Sequence, residues 1–365
     1  MLASLTDTPI GIQKIIIIIL LALIVISIFW WIYGKMTLDN ANCTRMNKLY
    51  NKHPSVHTIN INNEQFSNNL RDYYIKTAYN CCSAGTTKND FVNVCALKKC
   101  ISQGVRCLDF EIYSVDNMPV VAVSSQNAFD VKETYNSVSF ANAMSVISEY
   151  AFSGSTCPNP GDPLLIHLRI MSSNKTIYDI MANTLLNTLS RRLMGKKFSY
   201  ENNGKNLSQT PLKDIMGKVI IMVDKSNPLF SETLLNEYVN IASNSVFMRA
   251  LRFHDVKFTP DMQELIEFNK KNMSIVLPDL STSSKNPSSS LSLNYGCQLV
   301  ALSFQSYDAS LEYYNEMFDT AGSAFVLKPL ELRYIPVTIP VPPPANPAYS
   351  YEKREIKADY YNFTI

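Results

Sequence analysis

Residues 15–33, IIIIILLALIVISIFWWIY, form an uncharged apolar run. As a helix it reaches across a ~30 Å hydrocarbon core. It ends in Trp30, Trp31 and Tyr33, aromatics favoured at a membrane interface, where a secretory signal would carry a small-residue cleavage site. The pattern predicts an uncleaved single-pass transmembrane anchor at 15–33, after a tail of residues 1–14 and before a polar neck, 34–65. Beyond the neck, short apolar runs alternate with amphipathic stretches. Strands are expected at VRCLDFEIY, MPVVAVSS, PLLIHLRIM, KVIIMVD, NMSIVLP, CQLVALSFQ and AFVLKP, and helices at 87–103, 139–152, 176–193, 232–241 and 308–320.

Repeated strand–helix units predict an α/β fold, with a TIM-type (β/α) barrel favoured over an open sheet. The polar stretch GKKFSYENNGKNLSQT, 195–210, divides the pattern into halves at 66–194 and 211–334. STSSKNPSSS, 281–290, reads as a surface loop. The proline-rich tail, 335–365, is expected to leave the domain in polyproline conformation.

The chain has 365 residues, 46% of them hydrophobic, enough to bury a sizeable core. A net charge of +2, with no basic run interleaved with aromatics, sets nucleic acid aside as a partner. Cys81, Cys82, Cys95, Cys100 and Cys107 crowd together and fit disulfides or small core residues; no histidine or Cys-x-x-Cys pairing makes them a zinc site. Lys14 precedes the apolar run while Lys35, Arg45, Lys48 and Lys52 follow it, a bias toward a cytosolic domain. Acceptor triplets at Asn42, Asn174, Asn206, Asn272 and Asn362 would suit a lumenal one, so topology stays open.

Read in order, ALKKCISQGVRCLDFEIYS, PVVAVSS, FANAMSVISEYAF and DPLLIHLRI resemble the X half of the catalytic barrel of eukaryotic phosphoinositide-specific phospholipase C. EFNKKNMSIVLP, GCQLVALSFQSYD and GSAFVLKPLELR resemble its Y half. The resemblance implies a distorted TIM-type barrel with its site at the C-terminal ends of the strands. It also implies a phosphodiesterase that uses the inositol 2-hydroxyl as internal nucleophile, aided by two histidines and calcium.

The residues at those positions depart from that chemistry. Where the family motif ends in His-Asn, this chain has Tyr79-Asn80; where it has His-Gly-His, Val123, Ser124 and Ser125 stand, so Ser125 replaces the second histidine. Of the four ligand positions, Asn80, Asp109 and Glu111 keep oxygen, but the fourth is Arg169, whose guanidinium has no lone pair for calcium. Calcium is therefore not expected, and Arg169 is expected to neutralise Asp109 and Glu111 in its place. The arginine of the family's Leu-Ser-Arg motif corresponds to Ile275.

This pattern predicts a membrane-anchored pseudoenzyme that serves as a structural or interaction module for an unidentified protein partner. Two rivals stand beside it: a rebuilt, calcium-independent phosphodiesterase using His167 with Tyr79, Asp109 and Glu111, and a headgroup-binding module without turnover. His167, Lys225 and Ser274 are the pocket residues expected. The Asn- and Ile-rich composition and the anchor resemble membrane proteins of large DNA viruses, which implies a virion or host-cell membrane.

Overall fold

The parallel strands are apolar because helices or side chains cover both of their faces, which is why they read as continuous Val/Ile/Leu runs. A computed structural model describes residues 10–365 except 53, 201–203, 337–342 and 347–348. Its strands are β1 (Tyr73–Ala78), β2 (Cys107–Val115), β3 (Met118–Ala122), β4 (Val138–Ser139), β5 (Leu164–Ile170), β6 (Val219–Asp224), β7 (Ile241–Ser243), β8 (Met248–Arg252), β9 (Met273–Leu277), β10 (Leu299–Leu302) and β11 (Phe325–Leu327). The barrel wall runs β7-β6-β5-β2-β1-β10-β9-β8, parallel at every pairing. β7 and β8 flank the remaining seam, so the barrel is nearly closed. β2 and β5 belong to the first half of the sequence pattern and β6 to the second, yet β5 and β6 pair directly, so the two halves complete one barrel.

Several elements differ from their sequence patterns. The helix expected over 87–103 is confined to α2 (Val94–Ser102), because the Asn93 side chain caps it and Asp90 draws the preceding N–H groups of Thr86 and Phe91 into a turn. The helix expected over 232–241 is replaced by two 3₁₀ turns, Pro228–Glu232 and Leu234–Tyr238, with extended Thr233 between them. β7 begins directly afterwards, which leaves no room for longer α-helical turns. β1, β7 and β8 were not anticipated.

The first part of the neck, 34–49, is helical. α1 (Ile10–Leu49) is one helix of 40 residues that carries the apolar run straight into residues 34–49. By length and composition it can cross a membrane, and none of its apolar window is buried. The remainder docks along one face of the barrel domain. Lys35 Nζ donates to the Asn89 carbonyl at 3.5 Å, the Asn93 amide donates to Asp39 Oδ1 at 3.0 Å, and the Asn42 amide to Asp90 Oδ1 at 2.7 Å. Met46 is fully buried and the Tyr50 hydroxyl donates to the Phe304 carbonyl at 2.6 Å. These positions recur every three or four residues, one stripe of a helix. A disulfide between Cys43 and Cys95 ties the same stripe to α2; the other six cysteines are free and buried.

Of the acceptor triplets, Asn42 and Asn206 are buried, and the Asn174 and Asn272 amides are hydrogen-bonded to neighbouring side chains. Residues Tyr334–Ile365 form a separate unit with an antiparallel hairpin, β12 (Glu355–Ala358) with β13 (Tyr361–Thr364). Of the tail read as polyproline, residues 337–342 and 347–348 lie outside the described residues, and Glu355–Thr364 form this hairpin instead.

The disulfide closes a sequence separation of 52 residues. Chain-entropy reasoning assigns such a loop about 4 kcal/mol. Cys43→Ser is therefore expected to lower the denaturation midpoint, and a reductant to lower that of the native chain but not of the variant; thermal melts with and without dithiothreitol measure both.

Candidate functional site

β1 ends at Ala78, and Asn80 then takes a left-handed backbone, φ 45°. Asparagine tolerates that region because its short amide can bond locally. The turn brings Asn80 over the barrel interior, where its N–H donates to Asp109 Oδ2 at 3.2 Å. On the neighbouring ladder Asp109 lies opposite His167, and Glu111 opposite Arg169. The two-residue period of a strand puts all four on the inward face.

Arg169 is the hub of this cluster. Its Nε donates to Asp109 Oδ1 at 3.0 Å and its Nη2 to Asp109 Oδ2 at 2.7 Å, a bidentate pair. Nη1 donates to Glu111 Oε1 at 2.6 Å and Nη2 also to Asn80 Oδ1 at 2.8 Å. Glu111 Oε2 accepts from the Tyr113 hydroxyl at 3.0 Å and from the Ser124 N–H at 2.9 Å. The Tyr79 ring covers the guanidinium, its centroid 4.9 Å from Cζ. Asp109 is 0% exposed, Glu111 2% and Arg169 4%, so all three charges are held almost without water.

Burial alone would raise the Asp109 pKa, but the Arg169 charge and hydrogen bonds from His167 and Arg169 outweigh it and hold the carboxyl well below the usual range. Burial would lower the Arg169 pKa; Asp109 and Glu111 instead drive it well above its ordinary value.

His167 points inward and is fully buried. Its Nδ1 bonds Asp109 Oδ1 at 2.8 Å and its Nε2 the Ser243 hydroxyl at 3.0 Å. Hydroxyl, imidazole and carboxylate are thus aligned as in a nucleophilic relay. Ser243 is also fully buried, however, and both Asp109 oxygens are engaged by Arg169, so a substrate carbonyl has no approach to Ser243 Oγ. The three residues brace the arginine cluster. Sequence reasoning missed Ser243 because its strand is three residues long.

The remaining expected site residues separate. Ser125 turns away to Glu133, which accepts from its N–H at 2.7 Å and from its hydroxyl, and which also pairs with Lys88 at 2.9 Å. Lys225 lies just past β6 with its ammonium 5.3 Å from the Tyr200 ring. Ser274 is not a pocket residue: it sits near the N-terminal end of β9, where its hydroxyl donates to Asn269 Oδ1 at 2.6 Å. Ile275 is fully buried. The rim of the site holds a basic residue that the sequence pattern did not single out, Arg252 at the end of β8, whose Nη1 donates to the Pro278 carbonyl at 2.8 Å and to the Tyr79 hydroxyl at 3.4 Å. Arg252 and Arg169 both line a cavity of about 400 Å³, together with Asn127, Asp224, Asn227 and Asn244.

Residues 66–225 match the family "Phosphatidylinositol-specific phospholipase C, X domain", and residues 232–331 match its Y domain. Among solved structures, PLC21 of L. pealei aligns with a TM-score of 0.61 at 19% identity, over 77% of this chain and 39% of that one. PLC21 of S. officinalis gives 0.61 at 18% identity over the same shares. A calcium-dependent phosphoinositol-specific phospholipase C from a Pseudomonas species aligns at 0.48 and 11% identity, over 75% of this chain and 99% of that one. The chain thus spans well under half the length of the two PLC21 structures. No curated protein sequence matches significantly.

Removing the hub charge leaves two buried carboxylates without a counter-ion. Arg169→Met is expected to cost about 3–5 kcal/mol, read from urea unfolding, and adding Asp109→Asn with Glu111→Gln should recover much of it. Because the folded-state pKa of Asp109 is depressed, its contribution is present above the unfolded value of about 4 and is lost as pH falls below it. Urea midpoints should therefore drop on acidification, and less steeply for Asp109→Asn.

Proposed function

The chain belongs to the phosphatidylinositol-specific phospholipase C superfamily, and on that premise we propose that it is a membrane-anchored member without hydrolytic chemistry, serving as an interaction module at a bilayer. The observation that carries this reading is the guanidinium of Arg169 lying between Asp109 and Glu111. A calcium ion at that place would meet a fixed positive charge instead of a ligand, so these residues do not fit the metal. Among the described residues no acid–base pair replaces it: Tyr79 covers Arg169, Ser125 is bound to Glu133, and both nitrogens of His167 are engaged. Each acid–base group commonly supplies ~10²–10⁴ in rate, and a Lewis-acid metal several kcal/mol more.

Membrane attachment rests on the apolar part of α1, which stands exposed outside the barrel and ends in three aromatics. The viral style of the composition supports a virion membrane as the bilayer concerned. Arg252 favours a second reading, an anionic headgroup held without turnover, since it lines the cavity together with Arg169.

Calorimetry with calcium on the full chain in detergent micelles should give no binding heat, and phosphatidylinositol 4,5-bisphosphate in mixed micelles should stay uncleaved. Micromolar calcium affinity or real turnover would sink the proposal. Saturable inositol-phosphate binding that Arg252→Ala abolishes would establish the second reading.

A further inference from the structure

We propose that the docked part of α1 is a rigid strut that holds the barrel mouth flush against the bilayer that anchors the chain, so that the cavity faces the headgroup layer of its own membrane. This rests on the reading of residues 15–33 as a membrane anchor.

The direction follows from which loops α1 meets, and in what order. Asn89, held by Lys35, belongs to the loop after β1; Tyr135, whose ring lies 5.3 Å from the Lys35 ammonium, belongs to the loop after β3. Arg45 donates to the Ala84 carbonyl at 3.0 Å, again in the loop after β1. Only past the helix does the chain reach the opposite end of the barrel, where the His57 N–H donates to the Gly322 carbonyl and the Ile59 N–H to Asp162, ahead of β5. The docked contacts of α1 therefore stay with mouth-side loops, the chain passing to the base only after it, and its apolar half projects from the mouth side.

The stand-off is short. Tyr33, the last interfacial aromatic, is two positions before Lys35, or roughly 3 Å along a helix. The loops at Asn89 and Tyr135 thus lie level with the headgroups. On the same side Met118, Phe129, Val131, Tyr135 and Leu280 are exposed, and Phe129 also lines the cavity. Apolar side chains at such a boundary sit ~5–10 Å into it. The strut resists tilting because Cys43–Cys95 and the buried Asn42–Asp90 bond fasten it midway along the docked stripe. A flexible neck would let the barrel reach a facing membrane; a fastened helix confines it to the one that carries it.

Trp30 and Trp31 are the chain's two tryptophans. In a full-length background with both changed to Phe, a reporter is placed at the mouth (Phe129→Trp, or Tyr135→Trp as a second) or at the base (Ile61→Trp), and the protein is reconstituted into phosphatidylcholine–phosphatidylserine vesicles with brominated acyl chains. The mouth reporters, within reach of the acyl boundary, are expected to be quenched strongly, and the base reporter almost not at all. Vesicle co-flotation with all reporters equally bright would overturn the strut while leaving the anchor intact. Quenching of Phe129→Trp only when the brominated lipid is supplied on separate vesicles would overturn it in favour of a bridge between membranes. Failure to co-float would overturn the anchor and the inference with it.

Discussion

A single guanidinium holds the C-terminal end of this barrel together. Two carboxylates two positions apart on one strand face inward by strand periodicity, and neither can be ionised there without a counter-charge. Arg169, paired with Glu111 across the ladder, supplies it. The other nearby groups follow from that choice: Asn80 closes the guanidinium's free edge, Tyr79 stacks on its face, and His167 with Ser243 braces Asp109 from below. A metal ion in the same place would exchange water and ligands. An arginine covalently fixed to β5 does not, so the cluster is a permanent brace.

That permanence joins the two ends of the molecule. A barrel whose mouth is locked internally can pack a long helix against its rim loops without mobile site loops disturbing the contact. The loop after β1 does both tasks: its second residue, Asn80, binds Arg169, while Ala84, Asn89 and Asp90 receive α1. The brace and the strut share a backbone segment.

How much of this could be read from residues alone varied with the kind of signal. β2, β5, β6, β9 and β10 are legible because strands buried on both faces are apolar throughout, and the halves of the barrel follow from their order. β1 was obscured by Lys76 and Thr77, polar residues that the fold nevertheless buries completely. β7 is three residues long and β8 carries Arg249 and Arg252, so neither shows an apolar run. Among site residues, Asp109 and Glu111 were accessible because strand spacing places them on one face, and Arg169 because the resemblance aligns it with the fourth ligand position. Ser243 and Arg252 were not, since each depends on a strand without a signature, and Ser274 was assigned to the pocket although its place near the start of β9 carries it to the far end.

The neck is the most instructive difference. Residues 34–49 are polar because most of that segment faces solvent, and a polar stretch after an anchor reads as a flexible spacer. Its docked stripe, Lys35, Asp39, Asn42, Cys43 and Met46, uses charge, amide and thiol chemistry in place of aliphatic side chains, so a search for an apolar face passes over it. A helix can be held as firmly by a disulfide and buried hydrogen bonds as by a hydrophobic seam. With that substitution, a composition suited to a spacer becomes a fixed link between the apolar segment and the barrel.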